Sequence, residues 1–194
     1  MEKTKEEYPW QKEENFKKSL VAMSRDDFDK MMVKKFPDIF VQRNKSMMET
    51  CMCWGFDVGP GWYALIYDLC VRLDFIGKKF GVVVVATQVK EKYGNLCFYN
   101  QPTYRSENFF ARTKRAFVRI LIKLSIVKED FDILFKIIDD LVDYADNKSG
   151  HTCEECGEWG KKRTICGYIS VLCDKHFNQR RIEMGIPIDE DPWI

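Results

Sequence analysis

The predicted fold is decided by two short segments near the C-terminus, Cys153-Glu154-Glu155-Cys156 and Cys173-Asp174-Lys175-His176. In each segment two residues lie between two potential metal ligands, and sixteen residues separate the segments. Thiols and imidazoles paired at this spacing are typical of tetrahedral zinc sites. Because four protein ligands leave no coordination position for water, such a site is structural rather than catalytic. We therefore predict a structural zinc ion held by Cys153, Cys156, Cys173 and His176.

The residues between and after these segments predict the rest of a small zinc module. The patterns at 161–165 and 168–172 indicate two short strands that meet at Cys166-Gly167, and helical character follows the second segment. A knuckle, a hairpin and a helix whose first turn carries two ligands resemble a treble-clef finger. Cys166 is the alternative fourth ligand. His176 is preferred because its offset from Cys173 suits the start of a helix.

Composition and charge limit the class of protein. The 194 residues are 45% hydrophobic and 14% aromatic, which is enough for a packed core. A net charge of +1 argues against a protein that grips duplex nucleic acid through many phosphates. The charged N-terminus lacks a signal-peptide pattern, and the longest aliphatic run, Val82 to Ala86, is too short to span a membrane. Eight cysteines without an export signal indicate thiols and metal ligands, so we expect a cytoplasmic protein.

The chain divides into three parts by sequence pattern. Residues 1–23 are highly charged and predict an N-terminal arm or a peripheral helix. Residues 24–150 predict an α+β core domain, which opens with a helix whose capping box starts at Ser24. Residues 151–194 hold the zinc module and a tail. For the whole chain we predict an α+β fold with a small antiparallel sheet centred on 82–99, covered by helices, and a treble-clef-like zinc module at the C-terminus.

A glycine-rich stretch lies in the first half of the predicted core domain. Three glycines and one proline fall within residues 55–61, which predicts an ordered loop rather than a strand. From Trp62 onward, apolar residues recur at helical spacing to about Asp74. A glycine-rich loop before a helix can present free backbone N–H groups to an anion. The alternative interpretation is a loop fixed by buried aromatic residues.

A β-hairpin is predicted after this helix. Val82 to Ala86 has the pattern of a buried strand, and the alternating residues 88–99 return through a turn at Tyr93-Gly94-Asn95. Three polar residues share one face of the hairpin, either as a phosphate-contacting surface or as a solvated face. Together with aromatic residues that could stack a base, they form the predicted ligand site: Trp54, Trp62, Tyr63, Gln88, Lys90 and Lys92.

A basic segment follows the hairpin. No acidic residue lies between Glu107 and Glu129, and apolar residues interleave with the basic ones at helical spacing over 112–128. Such a helix is either a contact surface for a membrane surface, nucleic acid or a host protein, or a helix that packs on the core and leaves its charges in water. A second amphipathic helix is predicted from Asp130 to the stop signal at Gly150.

Three short sequence motifs of the core resemble those of a known family. They are Glu49-Thr50-Cys51-Met52-Cys53-Trp54-Gly55, Gly61-Trp62-Tyr63, and Gln88-Val89-Lys90-Glu91-Lys92-Tyr93-Gly94. With the late Cys-x-x-Cys pair, they are similar to a family of small phage- and prophage-encoded proteins, over roughly residues 36–99 and 137–176. The resemblance implies an accessory role in the cytoplasm of a bacterial host. Interference with host defence, for instance by sequestering a nucleotide signal, would be such a role.

These observations favour one function and leave two alternatives. We expect a non-enzymatic protein that binds and sequesters a small phosphorylated, nucleotide-like ligand. The first alternative is a zinc-stabilised adaptor for nucleic acid or protein, and the second is a nucleotide-processing hydrolase. Catalysis has the weakest support, because one of the two histidines is assigned to the metal and none of the familiar catalytic motifs is present.

Overall fold

A computed structural model describes residues 9–104 and 128–187 of the chain. This part confirms the α+β class. Its helices are α1 (Pro9–Val21), α2 (Arg25–Lys35), α3 (Tyr63–Phe80), α4 (Lys128–Ser149) and α5 (Asp174–Glu183), with short 3₁₀ turns at Cys51–Trp54 and Pro60–Trp62. Its strands are β1 (Phe56–Asp57), β2 (Val82–Glu91), β3 (Leu96–Tyr104), β4 (Lys161–Ile165) and β5 (Tyr168–Leu172). Within these residues, no helix combines the length and apolar character needed to cross a membrane.

The main sheet is mixed, which corrects the prediction of a purely antiparallel sheet. Its order is β1-β2-β3, with β2 and β3 antiparallel and β1 parallel to β2. The segment 56–57 was expected to be loop, yet Phe56 pairs with Val89. The reason is tertiary. The ring of Phe56 is fully buried and makes edge-to-face contacts with Phe28 and Phe40 at about 5 Å, so this short segment is held beside β2.

The hairpin forms where the sequence predicts it. Tyr93 and Gly94 both have positive φ, 54° and 69°, as a tight hairpin turn requires. Lys92 and Asn95 exchange backbone hydrogen bonds of 2.9 and 3.1 Å across that turn. The predicted buried strand and the first arm of the hairpin are one continuous strand, β2, with an irregularity between Ala86 and Gln88.

The core lies between α3 and the sheet. The buried face of α3 carries the periodic residues that the sequence indicated, Leu65, Ile66, Leu69 and Leu73. The helix continues past its predicted end near Asp74 to Phe80. It stops there because Gly81 takes the left-handed C-cap conformation, with φ of 70°, after two lysines in the last turn.

The N-terminal helices pack against the same core. Ser24 caps α2 as predicted: its Oγ accepts a hydrogen bond from the Asp27 N–H at 3.1 Å and donates to the Asp27 carboxylate at 2.7 Å. Phe28 of α2 stacks on Tyr63 with ring centroids 3.8 Å apart. On α1, Leu20 is fully buried.

The C-terminal module contacts the core through the glycine-rich loop. The Gly61 N–H donates to the Glu154 carbonyl oxygen at 2.6 Å, and the Trp62 indole N–H donates to the Thr152 carbonyl oxygen at 2.7 Å. A Cβ added at Gly61 would lie 2.0 Å from the Cys153 oxygen, and one at Gly59 would lie 2.4 Å from the Glu154 oxygen. The glycines therefore permit close approach of two backbones. The Gly61 N–H is already engaged in a hydrogen bond within the protein.

We predict that Gly61→Ala destabilises the protein by about 2 kcal/mol or more, because the added methyl group meets backbone rather than a movable side chain. The matched control is Gly150→Ala, whose Cβ would meet its nearest atom at an ordinary 3.4 Å. Urea unfolding of both variants measures the effect. Equal stabilities for the two variants would show that the loop and the module are not in tight contact.

Candidate functional site

Three thiols and one imidazole meet in the C-terminal module. The ligand atoms of Cys153, Cys156, Cys173 and His176 all lie within 4.8 Å of one another, so this group could hold a metal ion. His176 Nδ1 lies 3.1 Å from the Cys173 sulfur and 3.6 Å from the Cys153 sulfur. The sulfurs of Cys156 and Cys173 are 3.9 Å apart. The four predicted metal ligands are therefore brought together at one point.

Local backbone structure positions each pair of ligands. In the first pair, the Gly157 N–H donates to the Cys153 carbonyl oxygen at 2.9 Å, and positive φ of 77° at Gly157 closes the turn. In the second pair, Cys173 is the N-cap of α5, which places His176 on the first helical turn. The β4–β5 hairpin joins the two pairs, with register from Lys161↔Leu172 to Ile165↔Tyr168.

The structure distinguishes between the two candidates for the fourth ligand. Cys166 is exposed at the tip of the β4–β5 turn, where its φ is 48°. It is not a member of the metal-ligating group, which contains His176 instead. The helical offset between Cys173 and His176 was the sequence signal that identified this arrangement.

Two cysteine thiols of this group have shifted pKa values. Burial raises the pKa of the Cys156 thiol to about 12. Burial also acts against the Cys173 thiolate, but hydrogen bonds from the His176 and Lys175 backbone and from the neighbouring thiols hold its pKa below the usual value. A cation at the centre would favour the thiolate form of all three cysteines, because thiols ligate metals as thiolates.

Glu154 joins the metal-ligating group to the core through its backbone. Its N–H donates to the Val171 carbonyl oxygen at 2.9 Å, and its own carbonyl oxygen accepts from Gly61. Its side chain is 7% exposed. Burial raises the pKa of the Glu154 carboxyl to about 7, with a further contribution from the nearby Glu91 carboxylate.

Ion pairs hold α5 against the rest of the module. The Arg180 guanidinium is 2.6 Å from the Glu155 carboxylate, so it connects α5 to the first ligand pair. Arg163 of β4 pairs with Asp174, the first residue of α5. The Arg163 guanidinium also lies over the ring of Phe177 at 4.3 Å. These contacts fix the helix that carries His176.

The predicted ligand residues do not form one surface. Trp62 and Tyr63 are 0% and 2% exposed and belong to the core, because the indole is hydrogen-bonded to Thr152 and the phenol ring is stacked on Phe28. This placement corrects the prediction that they stack a base. Trp54 is 62% exposed.

Lys92 also lies apart from the other lysine of the predicted site. It is exposed at the hairpin turn, where its ammonium lies 5.5 Å from the Tyr93 ring. The basic segment 112–128 lies outside the described residues, apart from backbone at its last position.

Gln88 and Lys90 do lie together in a groove of about 510 Å³. One wall is the outer face of β2 and β3, and the other is the segment 42–51. Thr50 Oγ1 donates to the Thr87 carbonyl oxygen at 3.3 Å, which joins the two walls. We call this the β2–β3 groove; it is lined by Gln42, Met47, Met48, Glu49, Thr50, Cys51, Thr87, Gln88, Lys90, Tyr99 and Gln101.

Sequence reasoning missed most residues of the β2–β3 groove. Tyr99 could have been found, because a two-residue turn at Tyr93-Gly94 places Gln88 opposite Tyr99, as the structure shows. The segment 42–51 gave no signal for a position in this groove, although Glu49 to Cys51 belong to one of the motifs that carry the family resemblance. Its position beside β2 depends on contacts distant in sequence, such as the Ala86 N–H that donates to the Ile39 carbonyl oxygen at 2.8 Å.

Comparison of this chain with known proteins found no match to a family model, to a curated protein or to a solved structure. The metal-ligating group and the β2–β3 groove are therefore interpreted from their own geometry.

We predict that His176→Ala lowers the stoichiometry of bound metal well below one ion per chain, because it removes one of four ligands. Cys166→Ala is the matched control and keeps the stoichiometry of the native protein. Elemental analysis of the purified variants measures both values. Metal retained by His176→Ala and lost by Cys166→Ala would contradict the assignment.

Proposed function

We propose that this protein is a zinc-stabilised, non-enzymatic binding protein for a small phosphorylated, nucleotide-like ligand. The observation that carries the proposal is the β2–β3 groove, which presents Gln88 and Lys90 side by side on one strand. A volume of about 510 Å³ suits a small molecule, since ligand pockets commonly measure about 300–1,000 Å³. The lysine supplies the positive charge that a phosphate needs, and the glutamine supplies an amide that can orient the ligand.

Zinc is the metal that best suits the Cys3His group. Around a tetrahedral zinc ion, bond lengths of about 2.3 Å to sulfur and 2.0–2.1 Å to nitrogen place two sulfurs about 3.8 Å apart. They place sulfur and nitrogen about 3.6 Å apart. The separations of 3.9 Å for Cys156–Cys173 and 3.6 Å for Cys153–His176 are close to these values, whereas Cys173 and His176 are closer together, at 3.1 Å.

The order of elements supports a structural, treble-clef-like role for the zinc. The first ligand pair precedes the β4–β5 hairpin, and the second pair lies at the start of α5. With four protein ligands, the ion keeps no open position for water or substrate. We therefore place ligand binding in the β2–β3 groove and assign the zinc to stability.

The resemblance to phage- and prophage-encoded proteins suggests a biological role for ligand binding. An accessory protein in a bacterial host cytoplasm could oppose host defence by sequestering a nucleotide signal. Binding without turnover is sufficient for that role, because removal of the free ligand is the effect.

An adaptor for single-stranded nucleic acid is the second candidate, and exposed residues of the zinc module favour it. Trp159 precedes β4 and Tyr168 lies at the tip of the β4–β5 hairpin; they are 66% and 76% exposed, and Lys161 and Lys162 of β4 are exposed as well. Exposed aromatic rings and lysines are the usual platform for stacked bases and phosphates. Salt-sensitive oligonucleotide binding that the double variant Trp159→Ala/Tyr168→Ala abolishes would support it, and no binding at low salt would exclude it.

We predict that zinc removal by a chelator lowers the melting temperature by roughly 10 °C or more, because structural zinc contributes several kcal/mol to folding. Scanning calorimetry before and after chelation measures the change. Zinc added back restores the native transition, and magnesium at the same concentration does not. An unchanged transition in protein shown by elemental analysis to be metal-free would contradict a structural role.

We predict that a phosphorylated nucleotide raises the melting temperature of the native protein and that Lys90→Gln removes most of this shift. Lys92→Gln is the matched control, because Lys92 lies at the hairpin turn and outside the groove. A thermal-shift panel of mono-, di-, tri- and cyclic nucleotides measures the effect. The absence of a shift across the whole panel would contradict the proposed function.

A further inference from the structure

We infer that the β2–β3 groove selects a nucleotide with a single phosphate group and discriminates against di- and triphosphates. This inference rests on the proposed function and specifies its ligand class. It depends on three features of the described groove: its balance of charge, the position of the Tyr99 ring, and three amide side chains.

The charge of the groove fits one phosphate. Within the described part of the chain, eleven residues line the groove, and among them Lys90 is the only cation and Glu49 the only anion. Polyphosphate sites use several cations or a metal ion to neutralise their ligand, whereas one ammonium group matches one phosphate. Further phosphates would add negative charge to a groove that already contains a carboxylate, so each would weaken binding.

Glu49 is held in its charged form. Its carboxylate accepts hydrogen bonds from the Ser46 N–H at 3.3 Å and the Ser46 hydroxyl at 3.0 Å, and it lies 3.9 Å from the Lys45 ammonium. The hydrogen bonds from Ser46 and then the charge of Lys45 lower the pKa of this carboxyl. Glu49 therefore remains an anion at neutral pH.

Among the described residues that line the groove, the aromatic ring lies next to the cation. Tyr99 is 45% exposed, and the Lys90 ammonium lies 5.6 Å from the centre of its ring. A phosphate that draws the ammonium away from the ring would free the ring face for a base. The opposite wall presents Met47 and Met48, which are 60% and 90% exposed and can cover the other face of the base.

Three amide side chains remain for the edge of the base or the sugar. Gln42 comes from the segment 42–51, Gln88 from β2 and Gln101 from β3. None of the three makes a side-chain hydrogen bond within the part of the chain that the structure describes. Because each amide offers both a donor and an acceptor, they suit the mixed pattern of a base edge better than a run of phosphate oxygens.

Titration calorimetry of the full-length, zinc-loaded protein tests the inference. The ligands are the four common nucleosides, their 5′-monophosphates and triphosphates, and inorganic phosphate. The expected result is that at least one monophosphate binds about tenfold more tightly than its nucleoside and about five- to tenfold more tightly than its triphosphate.

Variants of the groove separate the contributions of its cation, its anion and its aromatic ring to ligand affinity. Lys90→Gln removes the advantage of the monophosphate over the nucleoside, whereas Lys92→Gln leaves it unchanged. Glu49→Gln raises the affinity for the triphosphate and so reduces the difference in affinity between the monophosphate and the triphosphate. Tyr99→Leu weakens nucleoside and monophosphate binding alike.

Two results would overturn the inference in different ways. Triphosphate binding that is as tight as monophosphate binding, and unaffected by Glu49→Gln, would reject selection for one phosphate and leave the proposed function intact. Failure of every nucleoside, nucleotide and phosphate to bind a correctly folded, zinc-loaded protein would reject both proposals.

Discussion

The structure depends on one close backbone contact between the core and the C-terminal module. The Gly61 N–H donates to the carbonyl oxygen of Glu154, which lies between the two cysteines of the first ligand pair. The next residue, Trp62, is fully buried and donates its indole N–H to Thr152. Because the same two residues lead directly into α3, the metal-ligating group is joined to the start of the main core helix. A metal site close to the chain end is thus coupled to the centre of the protein.

The module also supports the hairpin that carries the proposed ligand site. Gly94, at the hairpin turn, packs within about 3.4 Å of Ile169 and Val171 of β5, measured from the position that its Cβ would take. The Leu96 N–H at the start of β3 donates to the Ser149 hydroxyl at 2.8 Å, just before the first metal ligand. The register of β2 and β3 places Gln88 opposite Tyr99. If zinc occupies the metal-ligating group, as proposed, it stabilises the surface on which the groove is built and takes no part in ligand binding.

Sequence patterns predicted the parts of the fold that local chemistry determines. The metal-ligating group follows from the spacing of its residues, the β2–β3 turn from Tyr93-Gly94, and the β4–β5 hairpin from the two short strand patterns on either side of Cys166-Gly167. Long-range packing decided the rest. Phe56 joins the sheet because distant rings surround it, and the glycines at 59 and 61 serve backbone contact rather than an anion. Long-range packing also buries Trp62 and Tyr63, whose residue types alone suggested a stacking surface. It likewise places segment 42–51 beside the groove.

The central claim is that metal binding in the module orders the core through the contact at Gly61. Amide hydrogen exchange, followed by mass spectrometry or NMR with and without a zinc chelator, tests it most directly. The account predicts that the amides of Gly61 and of the first turns of α3 are protected in the zinc-loaded protein and lose protection together with residues 151–176 on chelation. Loss of protection confined to residues 151–176, with Gly61 and α3 unchanged, would contradict it.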